Sequence, residues 1–223
     1  MFPKSLENLI NEFIQFPGIG PKTAQRFIFY LLKKKNNLDN LCQKIEELKK
    51  IRTCRLCGNF TEKEICYICE DVRRDHSLIC LVANAIDLEA IEKIGEYKGV
   101  YEVLGGVLDP ARGAGLDDLN IRHFFNRLRG PDPPTKVGVP IEVGKNRERN
   151  KIREIIFALN PNLEGEATLI YLMDLIKRDS DISKEIKLTR LAKGLSSGLE
   201  LEYADSLTLG EALKERKNLD RNT

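Results

Sequence analysis

Apolar residues recur at helical spacing in the first part of the chain and in short continuous runs further on, with the change of period near Leu78. Over residues 3 to 15, Leu6, Leu9, Ile10, Phe13 and Ile14 fall on one helix face after Pro3. Pro17 ends that helix, Gly18 and Gly20 permit a tight turn, and Pro21 suits the first position of a second helix. The second helix turns Ala24, Phe27, Ile28 and Leu31 inward. A third short helix is predicted over 39 to 50, with Leu41, Ile45 and Leu48 inward and its lysines outward.

From Leu78 the pattern is that of buried parallel strands alternating with amphipathic helices. Leu78 to Val82 is a continuous apolar run. Asp87 opens a helix carrying Leu88, Ile91 and Ile94, with Gly95 to cap its end. Strands are predicted over Val100 to Leu104, Ile155 to Leu159 and Ile186 to Leu191. Helices are predicted over Asp117 to Leu128, Glu164 to Lys177 and Thr208 to Lys217, and Asp109 to Gly115 reads as loop. The fold class is α/β, a parallel sheet covered on both faces, preceded by a helical region. The expected division is 1–52, 53–77, 78–194 and 195–223. Gly130 to Asn150 interrupts the α/β part with four prolines, three glycines and a charged run from Lys145 to Arg149. That composition is a surface excursion, whose basic end either touches nucleic acid or is a solvated loop.

Between the two regions lies CRLCGNFTEKEICYIC, two C-x-x-C pairs formed by Cys54/Cys57 and Cys66/Cys69. Each pair turns both sulfurs toward one point, and two facing pairs make the four-thiolate shell that Zn²⁺ prefers. The alternatives are two disulfides or thiols packed as small hydrophobes. The opening MFPKSLENLI has no charged segment leading into an apolar core, which makes a reducing cytoplasm the expected setting and metal the preferred reading. Four thiolates close the shell, so the zinc is structural rather than catalytic. Arg52, Arg55 and Lys63 are near enough in sequence to offset the net negative charge. His76 is a fifth candidate ligand but reads as an exposed polar residue, while Cys42 and Cys80 read as core.

Charge refines the picture more by its distribution than by its total of +2. Residues 1 to 60 hold eight Lys and three Arg against five acidic residues, a surplus of +6 that the remainder offsets with −4. A basic end suggests an anionic partner, set against the simpler reading of a solvated lysine-rich face. In Pro17-Gly18-Ile19-Gly20-Pro21-Lys22, the small residues let backbone amides approach a phosphate, and the start of the second helix faces the same anion. Lys22 and Arg26 are four apart, on one face, and suited to neighbouring phosphates. Such contacts go to the backbone, so they predict nucleic-acid binding without sequence preference. The competing reading is an ordinary αα-hairpin whose Gly-Pro turn is only a turn. No apolar run approaches the roughly 18 residues of a membrane span, so no membrane partner is expected.

The order of parts resembles the RecR family of bacterial recombination proteins. The resemblance rests on PGIGPKTAQR, the four-cysteine segment, GEYKGVYEVLGG, NPNLEGEAT and LEYADSLTLGEAL, and it runs nearly the full chain. It implies a helix-hairpin-helix region, a four-cysteine zinc finger and a Toprim-type domain. It also implies a homo-oligomeric ring, dimer or tetramer, around single- or double-stranded DNA, acting with RecO, and in many bacteria RecF, to load the RecA recombinase. By position it assigns zinc to Cys54, Cys57, Cys66 and Cys69 and DNA contacts to Lys22 and Arg26 in the Gly18–Gly20 hairpin. Leu201 to Leu213 matches a segment associated with subunit contacts and with a nucleotide-motif likeness.

Departures from that pattern bear on function. Toprim enzymes hold Mg²⁺ with a glutamate after the first strand and an acidic pair after a later one. Here those positions carry Ala83 and Asn160-Pro161-Asn162. Glu164 and Glu166 remain, either for a partner protein or, as preferred, to suit the start of a helix. Gly194 to Gly198 is less regular than the family's glycine-rich segment. The expectation is therefore a non-enzymatic DNA-binding mediator of recombinational repair. The alternative is a Toprim-type metal-dependent DNA enzyme, nuclease or primase-like. An ATPase is a third reading, against which no G-x-x-x-x-G-K-[ST] loop occurs.

Overall fold

A computed structural model describes residues 2–34, 38–109, 115, 119–129, 152–179, 182, 186–192, 194, 195, 198 and 200–216. Gly130 to Asn150 lies outside the described residues, as do Asp117 and the tail beyond 216. The chain divides into two compact units at Arg52/Thr53.

In the first unit, α1 (Lys4–Ile14) and α2 (Pro21–Lys33) form a helical hairpin. Ile10, Ala24 and Ile28 are its buried centre, with Leu6, Phe13, Ile14, Ile19 and Leu31 packed around them. Phe13 also meets Phe16 and Phe27 through ring contacts at 5.8 and 6.2 Å. Phe27, on the predicted inner face, stays exposed, and the buried contact between the helices is made by Ala24 and Ile28.

α3 (Leu38–Glu47) follows, ending in a 3-10 turn over Leu48–Lys50. Its apolar stripe does not point into a core: Leu41, Ile45 and Leu48 are 36, 55 and 65% exposed. Cys42, which the sequence pattern assigns to the core, is exposed as well. Periodicity establishes that a helix has an apolar face and leaves open what covers it.

In the second unit, β1 (Arg52–Thr53) and β2 (Phe60–Thr61) make a two-stranded ladder around the first cysteine pair, and α4 (Tyr67–Glu70) carries the end of the second. β3 (Asp75–Val82), β4 (Gly99–Val103), β5 (Glu154–Ala158) and β6 (Lys187–Arg190) form an all-parallel sheet of order β4-β3-β5-β6. Ile79 lies beside Val100 on one side and Ile155 on the other.

The helices are α5 (Ala85–Glu92), α6 (Ile121–Arg129), α7 (Leu163–Arg178) and α8 (Ser206–Lys214). α5 starts earlier than expected. Asn84 caps it by accepting from the amides of Ile86 and Asp87, while Asp87 accepts in return from the Asn84 amide.

Alternation along the strands splits the core into two layers. Ile79, Leu81, Val100, Ile155 and Phe157 pack with Phe124 of α6 and Leu169, Leu172 and Ile176 of α7. Cys80, Val82, Tyr101, Val103 and Ala158 face the other way, onto Leu88 of α5, Ile68 and the four cysteines of the C-x-x-C pairs. The cysteine segment thus occupies a place that a helix would otherwise fill. Cys80 belongs to this layer, as expected, and its burial pushes the thiol up to about 12.

Candidate metal centre and helical hairpin

Cys54, Cys57, Cys66 and Cys69 are all buried, and their sulfurs lie within 4.8 Å of one another. Cys57 Sγ and Cys66 Sγ are 3.6 Å apart. A tetrahedral zinc with bonds of about 2.3 Å requires sulfur–sulfur edges of roughly 3.8 Å, so the quartet fits that ion. The amide of Cys66 donates to Cys54 Sγ at 3.3 Å, and Gly58, at φ +74°, closes the first turn by donating its amide to the Cys54 carbonyl. All six cysteines are free of disulfides.

Left to share protons among themselves, the thiols divide. Hydrogen bonds from Cys57, Cys66 and Cys69 hold Cys54 far below the ordinary thiol range, while Cys57 is pushed well above it by its bonds with Cys54 and Cys66, against that with Cys69, and Cys69 by its bonds with all three other sulfurs. For Cys66 the bond with Cys54 acts upward and those with Cys57 and Cys69 act downward, leaving it at about 7. A dication takes all four as thiolates and releases the remaining protons.

Two of the three cations placed nearest by sequence pair with carboxylates. Arg55 pairs with Glu64 at 3.0 Å and Lys63 with Glu70 at 3.2 Å. Arg127 of α6 is a buried cation paired with Glu102 at 2.8 Å. Burial works against its charge, and Glu102 together with Cys69 and Cys57 more than restores it. His76 is partly buried, near the Asp71 carbonyl at 3.3 Å, and is no member of the sulfur cluster.

A polar group that sequence reasoning missed ties this segment to the sheet. Glu102 of β4 is 0% exposed. Its carboxylate accepts from Arg127 Nη1 at 2.8 Å and lies 2.6 Å from His123 Nδ1, while His123 Nε2 lies 2.7 Å from the Arg55 carbonyl. The hydrogen bond to Glu102 outweighs burial and raises the His123 pKa above its ordinary value of 6.5. Val103 adds a backbone bond to the Cys57 carbonyl at 2.8 Å, and Asn120 Nδ2 donates to the Val103 carbonyl at 3.1 Å.

In the hairpin, Gly18 has φ +78°, a left-handed conformation that favours glycine, and Gly20 is the uncapped N-cap of α2. A side chain at either would meet nothing within 4 Å. The first intrahelical bond is donated by Ala24 to Gly20, so the amides of Lys22 and Thr23 precede it. Lys22 and Arg26 are both exposed.

The positions that the resemblance matches to Toprim metal ligands carry Ala83, Asn160 and Asn162. Ala83 is buried. Asn162 caps α7 by accepting from Gly165, whose Cα passes so close to the Asn160 carbonyl that a Cβ has no room. Glu166 pairs with Arg190 at 2.7 Å, and both line a cleft of about 520 Å³ at the carboxyl ends of the strands. Glu164 and Glu166 both stand in the first turn of α7, in agreement with the preferred reading. Among the described residues, the four cysteines are the group placed to hold a metal.

A helical hairpin with a glycine turn, a closed four-thiolate zinc finger and a parallel α/β unit define a helix-hairpin-helix, zinc-finger Toprim protein. The family comparisons agree part by part. Residues 6–49 match the RecR helix-hairpin-helix, 51–71 the RecR four-cysteine zinc finger domain, 77–192 the Toprim domain and 194–217 the RecR C-terminal region. The chain is 41% identical over 220 residues to Recombination protein RecR of Staphylococcus aureus, covering 98% of this chain and 99% of that protein. It is 43% identical over 217 residues to the Bifidobacterium animalis protein of the same name, covering 96% of each. The chain belongs to the RecR family.

Proposed function

We propose that this chain is a non-enzymatic DNA-binding mediator of recombinational repair. The observation that carries the reading is the hairpin: a turn with open space beside Gly18 and Gly20, an uncapped helix start and exposed Lys22 and Arg26 on one helix. Backbone amides and two cations fit the sugar-phosphate chain of single- or double-stranded DNA, with Gly18 and Gly20 leaving room for it. Cys54, Cys57, Cys66 and Cys69 hold a structural zinc.

The assignment of parts follows: 1–52 grips DNA, 53–77 is the zinc finger, 78–194 presents the Toprim surface and 195–223 makes subunit contacts. Family membership supports a homo-oligomeric ring, dimer or tetramer, working with RecO and RecF in the cytoplasm to load RecA. Several hairpins on one ring share an effective concentration, so modest phosphate contacts suffice. Among the described residues no helix is long and apolar enough to cross a membrane.

The neutral Ala83, Asn160 and Asn162 favour mediation over metal-dependent strand chemistry, since alanine and amides make a poor cage for a hard dication. The test is DNA affinity of the zinc-loaded protein across salt concentrations. Lys22→Ala with Arg26→Ala should weaken binding and lower the salt slope by roughly 1.8, two phosphates at about 0.9 each, with zinc content unchanged. Equal affinity and slope in the double variant would remove the hairpin from the DNA face.

A further inference from the structure

We infer that Glu102, acting through His123, is the outer support of the zinc centre: a buried carboxylate on the sheet that sets the position of the Cys54–Cys57 turn and thereby how firmly the site retains its metal. A carboxylate with no exposed surface is costly unless it is paired and hydrogen-bonded. Glu102 meets two side chains of α6, Arg127 at 2.8 Å and His123 at 2.6 Å, one on each oxygen.

His123 passes the contact on. Its two ring nitrogens face two acceptors, the Glu102 carboxylate at 2.6 Å and the Arg55 carbonyl at 2.7 Å. An imidazole with acceptors on both sides satisfies both as a donor at each nitrogen. Arg55 is the residue after the first zinc ligand, and its carbonyl belongs to the peptide inside the C-x-x-C turn. Holding that oxygen fixes the peptide plane, because the unit is rigid. The same turn is held at its far end by Val103, whose amide bonds the Cys57 carbonyl at 2.8 Å. Glu102 and His123 touch no sulfur in this arrangement, so they are positioning residues. Partners of this outer kind typically change metal affinity 10- to 100-fold when removed. The inference concerns the zinc centre alone and stands apart from the DNA reading of the hairpin.

The experiment is zinc release from the full-length, zinc-loaded protein to an excess of the chromogenic chelator 4-(2-pyridylazo)resorcinol, followed by absorbance. His123 is 34% exposed on its side chain, so His123→Ala leaves no sealed cavity. Release should quicken by about tenfold or more in His123→Ala. His123→Gln keeps one donor group and should fall between the two. The control is Arg129→Met on the same helix, which breaks the 2.8 Å pair with Asp179 and should release zinc as the parent does. Unchanged release in His123→Ala, or equal acceleration in Arg129→Met, overturns the assignment. If His123→Ala does not fold, the same comparison is read from His123→Gln against Arg129→Met.

Discussion

The amide of Val103 donates to the carbonyl of Cys57 across 2.8 Å, which makes the edge strand of the sheet and the first cysteine turn one hydrogen-bonded unit. Below that bond the cysteines share a core layer with Val82, Leu88, Tyr101 and Ala158. Zinc therefore contributes to the fold of the α/β unit as well as to its own loop. Stripping the metal from the protein should lower the thermal midpoint of the whole unit by roughly 10 °C or more, since about 3 kcal/mol already corresponds to that shift at this size. Circular dichroism melts of loaded and stripped samples decide it. An unchanged helix and sheet melt would make the finger an appendage.

Gly165 gives a second prediction about the same unit. A Cβ there would run into the Asn160 carbonyl and the Asn162 side chain, both parts of the turn that leads into α7. The glycine thus permits a close approach of helix to strand end rather than an unusual dihedral. Gly165→Ala should cost about 3 kcal/mol in urea unfolding, in the range of overpacked core substitutions. Thr168, which takes the Leu108 amide at 2.9 Å from the next turn of the helix, should lose that bond as α7 shifts. A loss under about 0.5 kcal/mol, the level of a neutral surface change, would show that the turn gives way freely.

Local signals are legible in the sequence and covering partners are not. The two C-x-x-C pairs, the Pro-Gly-Ile-Gly-Pro turn and the alternation of strands with helices each depend on residues a few positions apart, and each is found where the pattern puts it. The stripe Leu41, Ile45, Leu48 is visible too, but whether anything buries it is a tertiary matter. The Glu102–His123–Arg127 group escapes a sequence reading because His123 and Arg127 look like the polar side of an amphipathic helix. The signal that could have found it is Glu102 itself, a charge inside the apolar run Val100 to Leu104, which demands a buried partner. The resemblance matches Asn162 to a metal-ligand position, whereas the structure uses it as a cap, a role that spacing to Gly165 also encodes.

The two cysteines outside the zinc shell should differ in reactivity. Cys42 is exposed on α3, whereas Cys80 is sealed in the sheet and its thiol is pushed up to about 12 by burial. The thiolate is the reactive form, so both access and ionisation disfavour Cys80. Zinc-loaded protein treated with a disulfide reagent at neutral pH should show one fast thiol per chain, abolished by Cys42→Ser. A fast phase that survives Cys42→Ser would mean that the zinc shell or the sheet opens readily.

Acid should weaken the α/β unit through Glu92. Its carboxylate accepts from Arg74 Nη1 at 2.9 Å, Arg74 Nη2 at 2.6 Å and the Tyr101 hydroxyl at 2.7 Å. Burial works to raise its pKa, but the bonds from Arg74 and Tyr101 prevail and hold it below the ordinary value of 4.5. A carboxyl depressed in the folded state binds its proton first in the unfolded chain. Its stabilisation is complete above the ordinary value and is lost as pH falls through the lower, folded one. Glu92→Gln removes that titration, so the variant should be less stable than the parent near neutrality, with a gap that narrows as the medium is taken below pH ~4.5. Loss of zinc from protonated thiolates weakens both proteins alike, and the difference between their urea midpoints isolates the glutamate. A gap that stays constant across that range would mean the Arg74 pair contributes packing and no ionic stabilisation.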